Sequence, residues 1–139
     1  MKFGDKVKDL RTQKKMTQAE LAKVVGISPR TIFAYENEEN YPRRREIYKN
    51  LAEFFGVELN YLLTEDEEFI TEVTEQYGSK GQKQAMELLE QASALFAGGD
   101  LSEDDQLAFV HEIQQLYLDS KERAKKFTPK KYRKDTQGQ

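Results

Sequence analysis

Apolar residues in the first half of the chain recur at helical rather than strand spacing. Phe3, Val7 and Leu10 fall at i, i+4 and i+7 with charges between them, which predicts an amphipathic helix over residues 3–15. Thr17-Gln18-Ala19-Glu20 is a capping-box pattern, in which the Thr17 hydroxyl and the Glu20 carboxylate each satisfy an orphan backbone N–H. A second helix starts there, carries Leu21, Ala22 and Val25 inward, and stops at Gly26. Ser28-Pro29 opens a third, because serine accepts bonds as an N-cap and proline at the first helical position loses no needed donor. Only Gly26 and Ile27 separate the two helices. The third runs to about Asn37, and a polar loop over 38–42 ends at Pro42. A fourth helix over 43–55 turns Ile47, Leu51 and Phe54 inward and ends at Gly56, and a short fifth covers 58–63.

The pattern changes after Thr64. Thr64-Glu65-Asp66-Glu67 is another capping box, leading into a helix with Phe69, Ile70, Val73 and Tyr77 on one face. A further helix begins at Ser79, with Ala85, Leu88, Leu89, Ala92, Leu95 and Phe96 as its stripe and Gly98-Gly99 as its stop. Ser102-Glu103-Asp104-Asp105 caps a last helix, in which Phe109, Val110, Ile113, Leu116 and Tyr117 recur at three- and four-residue steps. Residues 128–139 are polar and basic without an apolar period, so disorder is expected there. The organisation is thus all-α: a five-helix domain over 1–65, a small helical region over 66–127 and a basic disordered tail over 128–139.

Composition narrows the chemistry. The chain of 139 residues has room for one ordinary domain, or a small domain with an accessory unit, since domains typically take roughly 100–150 residues. There is no cysteine, which removes disulfides, thiol catalysis and cysteine-based metal sites. The apolar runs fall far short of the roughly 20 residues that cross a bilayer, and Met1-Lys2-Phe3-Gly4-Asp5 lacks the apolar stretch of a signal peptide. A cytoplasmic protein without membrane contact is expected. The net charge of −3 looks wrong for a nucleic-acid binder until its distribution is read. Residues 1–64 hold 12 Lys and Arg against 9 Asp and Glu, residues 65–100 hold 2 against 9, and residues 101–139 hold 8 against 7. A basic first half before an acidic middle is the asymmetry expected if only the first half meets phosphate.

A tight turn between a capped helix and a second short helix lets the latter lie in the major groove of duplex DNA while the former crosses the backbone. The run Thr17-Gln18-Ala19-Glu20-Leu21-Ala22-Lys23-Val24-Val25-Gly26-Ile27-Ser28-Pro29-Arg30-Thr31-Ile32, continued by Tyr35-Glu36-Asn37, resembles the Cro and phage-repressor helix-turn-helix, also called the xenobiotic-response-element family. Gly56-Val57 and Asn60-Tyr61-Leu62-Leu63 resemble that family's closing helix, so the likeness covers about residues 3–65. It implies a lambda-repressor-like DNA-binding domain.

At 100° per residue, the third helix puts Arg30, Ala34 and Asn37 on one face with Phe33 beside them, and turns Ile32, Tyr35 and Glu36 the other way. Arg30 is the candidate for reading a base, because its planar fork donates two bonds to guanine O6 and N7; a phosphate contact is the alternative. Ala34 and Phe33 are candidates for apolar contact with thymine methyl groups, although an aromatic at Phe33 also suits simple packing at the domain edge. The resemblance places Gln18 on a phosphate. Thr31 and the run Arg43, Arg44 and Arg45 also suit backbone phosphates, since cations at a helix N-terminus oppose its dipole and need another reason to be there. The resemblance further implies that Arg11 and Glu36 form a buried ion pair joining helices one and three, which gives Arg11 a structural role.

The helices of 66–127 bury too little to be secure alone, and the resemblance implies a dimer on two half-sites about one helical turn apart. Leu89, Phe96, Phe109 and Ile113 are the candidate homodimer contacts; folding back onto the first domain is the alternative. No metal site and no cofactor are expected: His111 is the only histidine, without a second at metal-binding spacing. Ser79 and Ser102 read as caps, so catalysis is not expected either. The function read from the sequence is a double-stranded DNA-binding transcriptional regulator, a repressor acting as a dimer on a palindromic operator. The rival is an antitoxin or adaptor whose acidic C-terminal helices bind a protein partner.

Overall fold

Among residues 1–127, which the computed structural model describes, the regular structure is entirely helical, as the periodicity predicts. The order is α1 (Phe3–Gln13), α2 (Gln18–Val25), α3 (Pro29–Glu36), α4 (Arg45–Phe55), α5 (Leu59–Leu62), α6 (Glu65–Leu95) and α7 (Glu103–Phe127). The basic tail expected at 128–139 lies outside the described residues.

Two compact units divide the chain, Met1–Glu75 and Gln76–Gln139. The core of the first gathers Val7 from α1, Leu21 from α2, Ile32 from α3, Leu51 from α4 and Leu62 from α5, all fully buried. Phe3 packs its ring against Tyr35 at 5.7 Å and against Tyr48 at 5.0 Å between centroids. Tyr48 is a core residue that the apolar pattern of α4 does not single out, and it is wholly buried. Lys6 ties α5 to α1, donating from Nζ to the Tyr61 carbonyl at 2.8 Å. Helix α4 begins two residues later than expected: Arg44 takes extended backbone as its N-cap without a side-chain cap bond. A run of cations makes a poor start for a helix whose first turn is already positive.

The first unit extends past the five-helix core into α6. One arm of the expected box forms between Thr64 and Glu67: the Thr64 N–H donates to Glu67 Oε1 at 2.8 Å, and the Thr64 hydroxyl donates to that same oxygen. Phe69, Ile70 and Val73 follow on one buried face. Glu67 is itself buried, which pushes its carboxyl pKa up against the two bonds from Thr64. Gly78 then interrupts the helix at φ 73° and ψ −159°, a conformation open only to glycine, so α6 is two helical stretches, over 65–77 and 79–95, as expected from Ser79.

In the second unit Ala85, Ala92 and, less expectedly, Gln82 and Gln114 are buried. The Tyr117 hydroxyl donates to Gln84 Oε1 at 2.7 Å. Leu116, which the apolar stripe of α7 included, is instead exposed, as are Leu95 and Leu107.

Candidate nucleic-acid interface

Both helices of the central pair are capped by their own side chains. Thr17 Oγ1 accepts from the Glu20 N–H at 3.1 Å while Glu20 Oε1 accepts from the Thr17 N–H at 2.8 Å. Ser28 Oγ accepts from the Thr31 N–H at 3.1 Å, with Pro29 at the first helical position. Between them Gly26 turns the chain at φ 76°, in the left-handed region where a Cβ would be strained. Residues 18–36 therefore fold into two short helices at a tight corner, with Leu21, Ala22, Ile32 and Tyr35 turned into the core.

The outer face of α3 carries Arg30 and Phe33 in solvent, the latter 49% exposed, with Thr31 and Ala34 half-buried at its edges. The wheel assignment of these residues away from Ile32, Tyr35 and Glu36 matches the burial seen. Asn37 is exposed and closes the helix: its Nδ2 donates to the Phe33 carbonyl at 2.9 Å. The Thr31 and Ser28 hydroxyls share a hydrogen bond at 2.8 Å. Arg43 and Arg44 lie in the loop before α4, close enough to α3 that their charges offset part of the rise that burial imposes on the Tyr35 pKa, which reaches about 12. Arg45, at the start of α4, has its Nη2 3.3 Å from Glu68 Oε1 of α6.

One network holds α1, α2 and α3 together. Arg11 donates from Nε to Glu36 Oε2 at 2.7 Å and from Nη2 to Glu36 Oε1 at 2.9 Å, a two-pronged ion pair. Its Nη1 donates to the Met16 carbonyl at 2.7 Å. The pair expected between helices one and three is present, with side chains 12% and 3% exposed, and Glu36 raises the Arg11 pKa chiefly by hydrogen bonding. Gln18 joins it, donating from Nε2 to Glu36 Oε1 at 3.1 Å. Because Glu36 can only accept, it fixes which end of the Gln18 amide points inward and leaves Oε1 and one N–H for an outside partner. Sequence reasoning placed Gln18 without this bond, and it missed Glu68 as the partner of Arg45. The acidic run was visible; which of its carboxylates reaches a cation on another helix was not.

Of the four candidate dimer residues, the second unit brings two together. The Phe96 and Phe109 rings meet edge to face at 5.4 Å and 83°. Leu89 and Ile113 are half-buried. Among the described residues no group of acidic or histidine side chains is placed to hold a metal ion, and no helix is long and apolar enough to cross a membrane.

Two short capped helices meeting at a left-handed glycine, with an arginine and an aromatic presented outward from the second, define a helix-turn-helix DNA-binding unit. The family described as Helix-turn-helix matches residues 7–62. Over those residues the chain carries a helix-turn-helix domain of the Cro and phage-repressor type, which makes it a DNA-binding transcriptional regulator of that kind. It is 26% identical to the immunity repressor protein of Bacillus phage phi105 over 145 residues, an alignment covering 99% of each chain. It is 34% identical over 70 residues to the cryptic phage CTXphi transcriptional repressor RstR of Vibrio cholerae, covering 50% of this chain and 62% of that protein. It is 37% identical over 71 residues to the HTH-type transcriptional activator BcrR of Enterococcus faecalis, covering 51% of this chain and 34% of that one. No solved structure matches the chain significantly.

Proposed function

We propose that the protein is a transcriptional repressor that binds a palindromic operator as a homodimer, with α3 in the major groove. The observation that carries this reading is the outer face of α3, where Arg30 and Phe33 stand in solvent on a helix anchored through Glu36 and Arg11. Arg30 takes a base, Phe33 and Ala34 lie along thymine methyls, and Asn37 sits at the far end of the same face. Gln18, Thr31, Arg43, Arg44 and Arg45 hold backbone phosphates and set register. Leu89, Phe96, Phe109 and Ile113 belong to the second unit, to which the dimer contact is assigned.

Repression rather than activation is supported by the extent of likeness. The phage immunity repressor aligns along its whole length, whereas the activator aligns over half of this chain and a third of its own. The same full-length likeness favours a simple repressor over an antitoxin or adaptor, which would copurify with a protein partner. Sequencing the genomic DNA retained by the purified protein tests the proposal. The expected product is a two-fold symmetric motif with half-sites about one helical turn apart. Recovery of DNA with no common motif would refute operator recognition, and an asymmetric single motif would refute the palindrome.

A further inference from the structure

Arg45 closes the run of cations assigned to the DNA backbone, and in the free protein it is already held. Its Nη2 lies 3.3 Å from Glu68 Oε1, in the first turn of α6. The two side chains are 55% and 51% exposed, so charge and one hydrogen bond hold the pair rather than enclosure. Glu67, one residue earlier, is buried and held by Thr64. Glu68 points outward to the cation instead. To a guanidinium, a carboxylate and a phosphate offer the same thing: anionic oxygens spaced to match its fork. Glu68 thus engages Arg45 through the kind of contact that a DNA phosphate would make.

We propose that Glu68 is an affinity-setting residue of the DNA-binding unit, competing with the DNA backbone for Arg45. The inference rests on the DNA-binding reading of α3 and the Arg43 to Arg45 run, and adds a residue with no DNA contact of its own. When Arg45 engages phosphate the ion pair opens, and the freed carboxylate stays near the DNA as a like charge. Both effects oppose binding whatever the sequence, because a phosphate contact carries no base information. They fade at high salt, where exposed charges are screened.

The test uses the full chain and a mixed-sequence duplex long enough for two half-sites, titrated across a range of salt. Glu68→Gln is expected to tighten binding about two- to fivefold at low salt, the range set by an exposed ion pair. It is also expected to steepen the logarithmic salt slope by up to about one unit, as Arg45 displaces a counterion without giving up a protein partner. Arg45→Ala weakens binding, and in that background Glu68→Gln gives a smaller gain, because only the like-charge effect is left to remove. Thermal melts verify that each variant is folded. Wild-type binding that Glu68→Gln leaves unchanged overturns the inference alone, as does a gain of equal size in the Arg45→Ala background. Failure of wild type and variant alike to bind duplex overturns the DNA-binding reading and this inference with it.

Discussion

At the scale of single residues, the geometry of α3 rests on contacts with α1 that spacing along the chain cannot show. A Cβ placed on Gly4 would come within 2.3 Å of the Tyr35 carbonyl oxygen and 3.1 Å of that of Glu36. Both atoms are backbone, so they cannot swing away, and relief requires α1 or the end of α3 to shift. Gly4→Ala should therefore destabilise by about 1–3 kcal/mol, outweighing the roughly 1 kcal/mol that alanine gains over glycine in a helix. A thermal melt checks the sign; a stabilised variant would mean that α1 moves freely. Arg11 and Glu36 make the second test. Glu36→Ala strands the Arg11 guanidinium and the Gln18 amide, and breaking a buried pair in this way costs about 3–5 kcal/mol. Arg11→Met fills much of the same volume and leaves a carboxyl group that still accepts from Gln18, so it should melt higher than Glu36→Ala. The pairing of residues 11 and 36 was legible only through family resemblance; no local signal joins them. Arg30 is the third test, because its position on the outer face was legible from helical periodicity alone. Arg30→Ala should cost about 1–3 kcal/mol on the operator and far less on random duplex. Equal losses on the two, measured by titration, would make Arg30 a phosphate contact.

At the scale of elements, the caps carried most of what the sequence revealed. Thr17, Ser28 and Thr64 each sit at a helix start, and Gly26 and Gly56 each end a helix, because these residues solve a local problem of orphan N–H and C=O groups. Local problems leave local signals. The allegiance of α6 is not local. Its start reads as the opening of a new region, yet the first compact unit runs to Glu75 and takes in Phe69, Ile70 and Val73. Thr71 faces Tyr48 of α4, and Glu68 reaches Arg45. A fragment of residues 1–77 should therefore melt cooperatively and well above a fragment of residues 1–64. Fully burying a side chain such as Phe, Ile or Val contributes about 1.5–3 kcal/mol, and cutting the chain after Thr64 removes three of them. Circular dichroism melts of both fragments decide it, and equal midpoints would detach 65–77 from the domain.

At the scale of the whole molecule, the second unit distributes polarity in a way that a self-sufficient helical pair would not. Gln82 and Gln114 are buried, while Leu107, Leu116 and Phe109 are 68%, 58% and 41% exposed. Burial of amides beside exposure of leucines favours a further surface that covers α7, and the symmetric way to cover it is a second copy of the same face. The full chain should then sediment as a dimer, and the fragment of residues 1–77 as a monomer that still folds. On a palindrome the full chain should bind far more tightly than the fragment, since dimer linkage presents the second half-site at high effective concentration. Replacing Leu107 and Leu116 together by serine should shift the full chain toward monomer and bring its operator affinity close to that of the fragment, with its helical content retained. Sedimentation of all three proteins, at concentrations spanning the binding assay, measures this directly. A full-length monomer whose operator affinity equals that of the fragment would remove the dimer from the mechanism and leave a single helix-turn-helix reading one half-site.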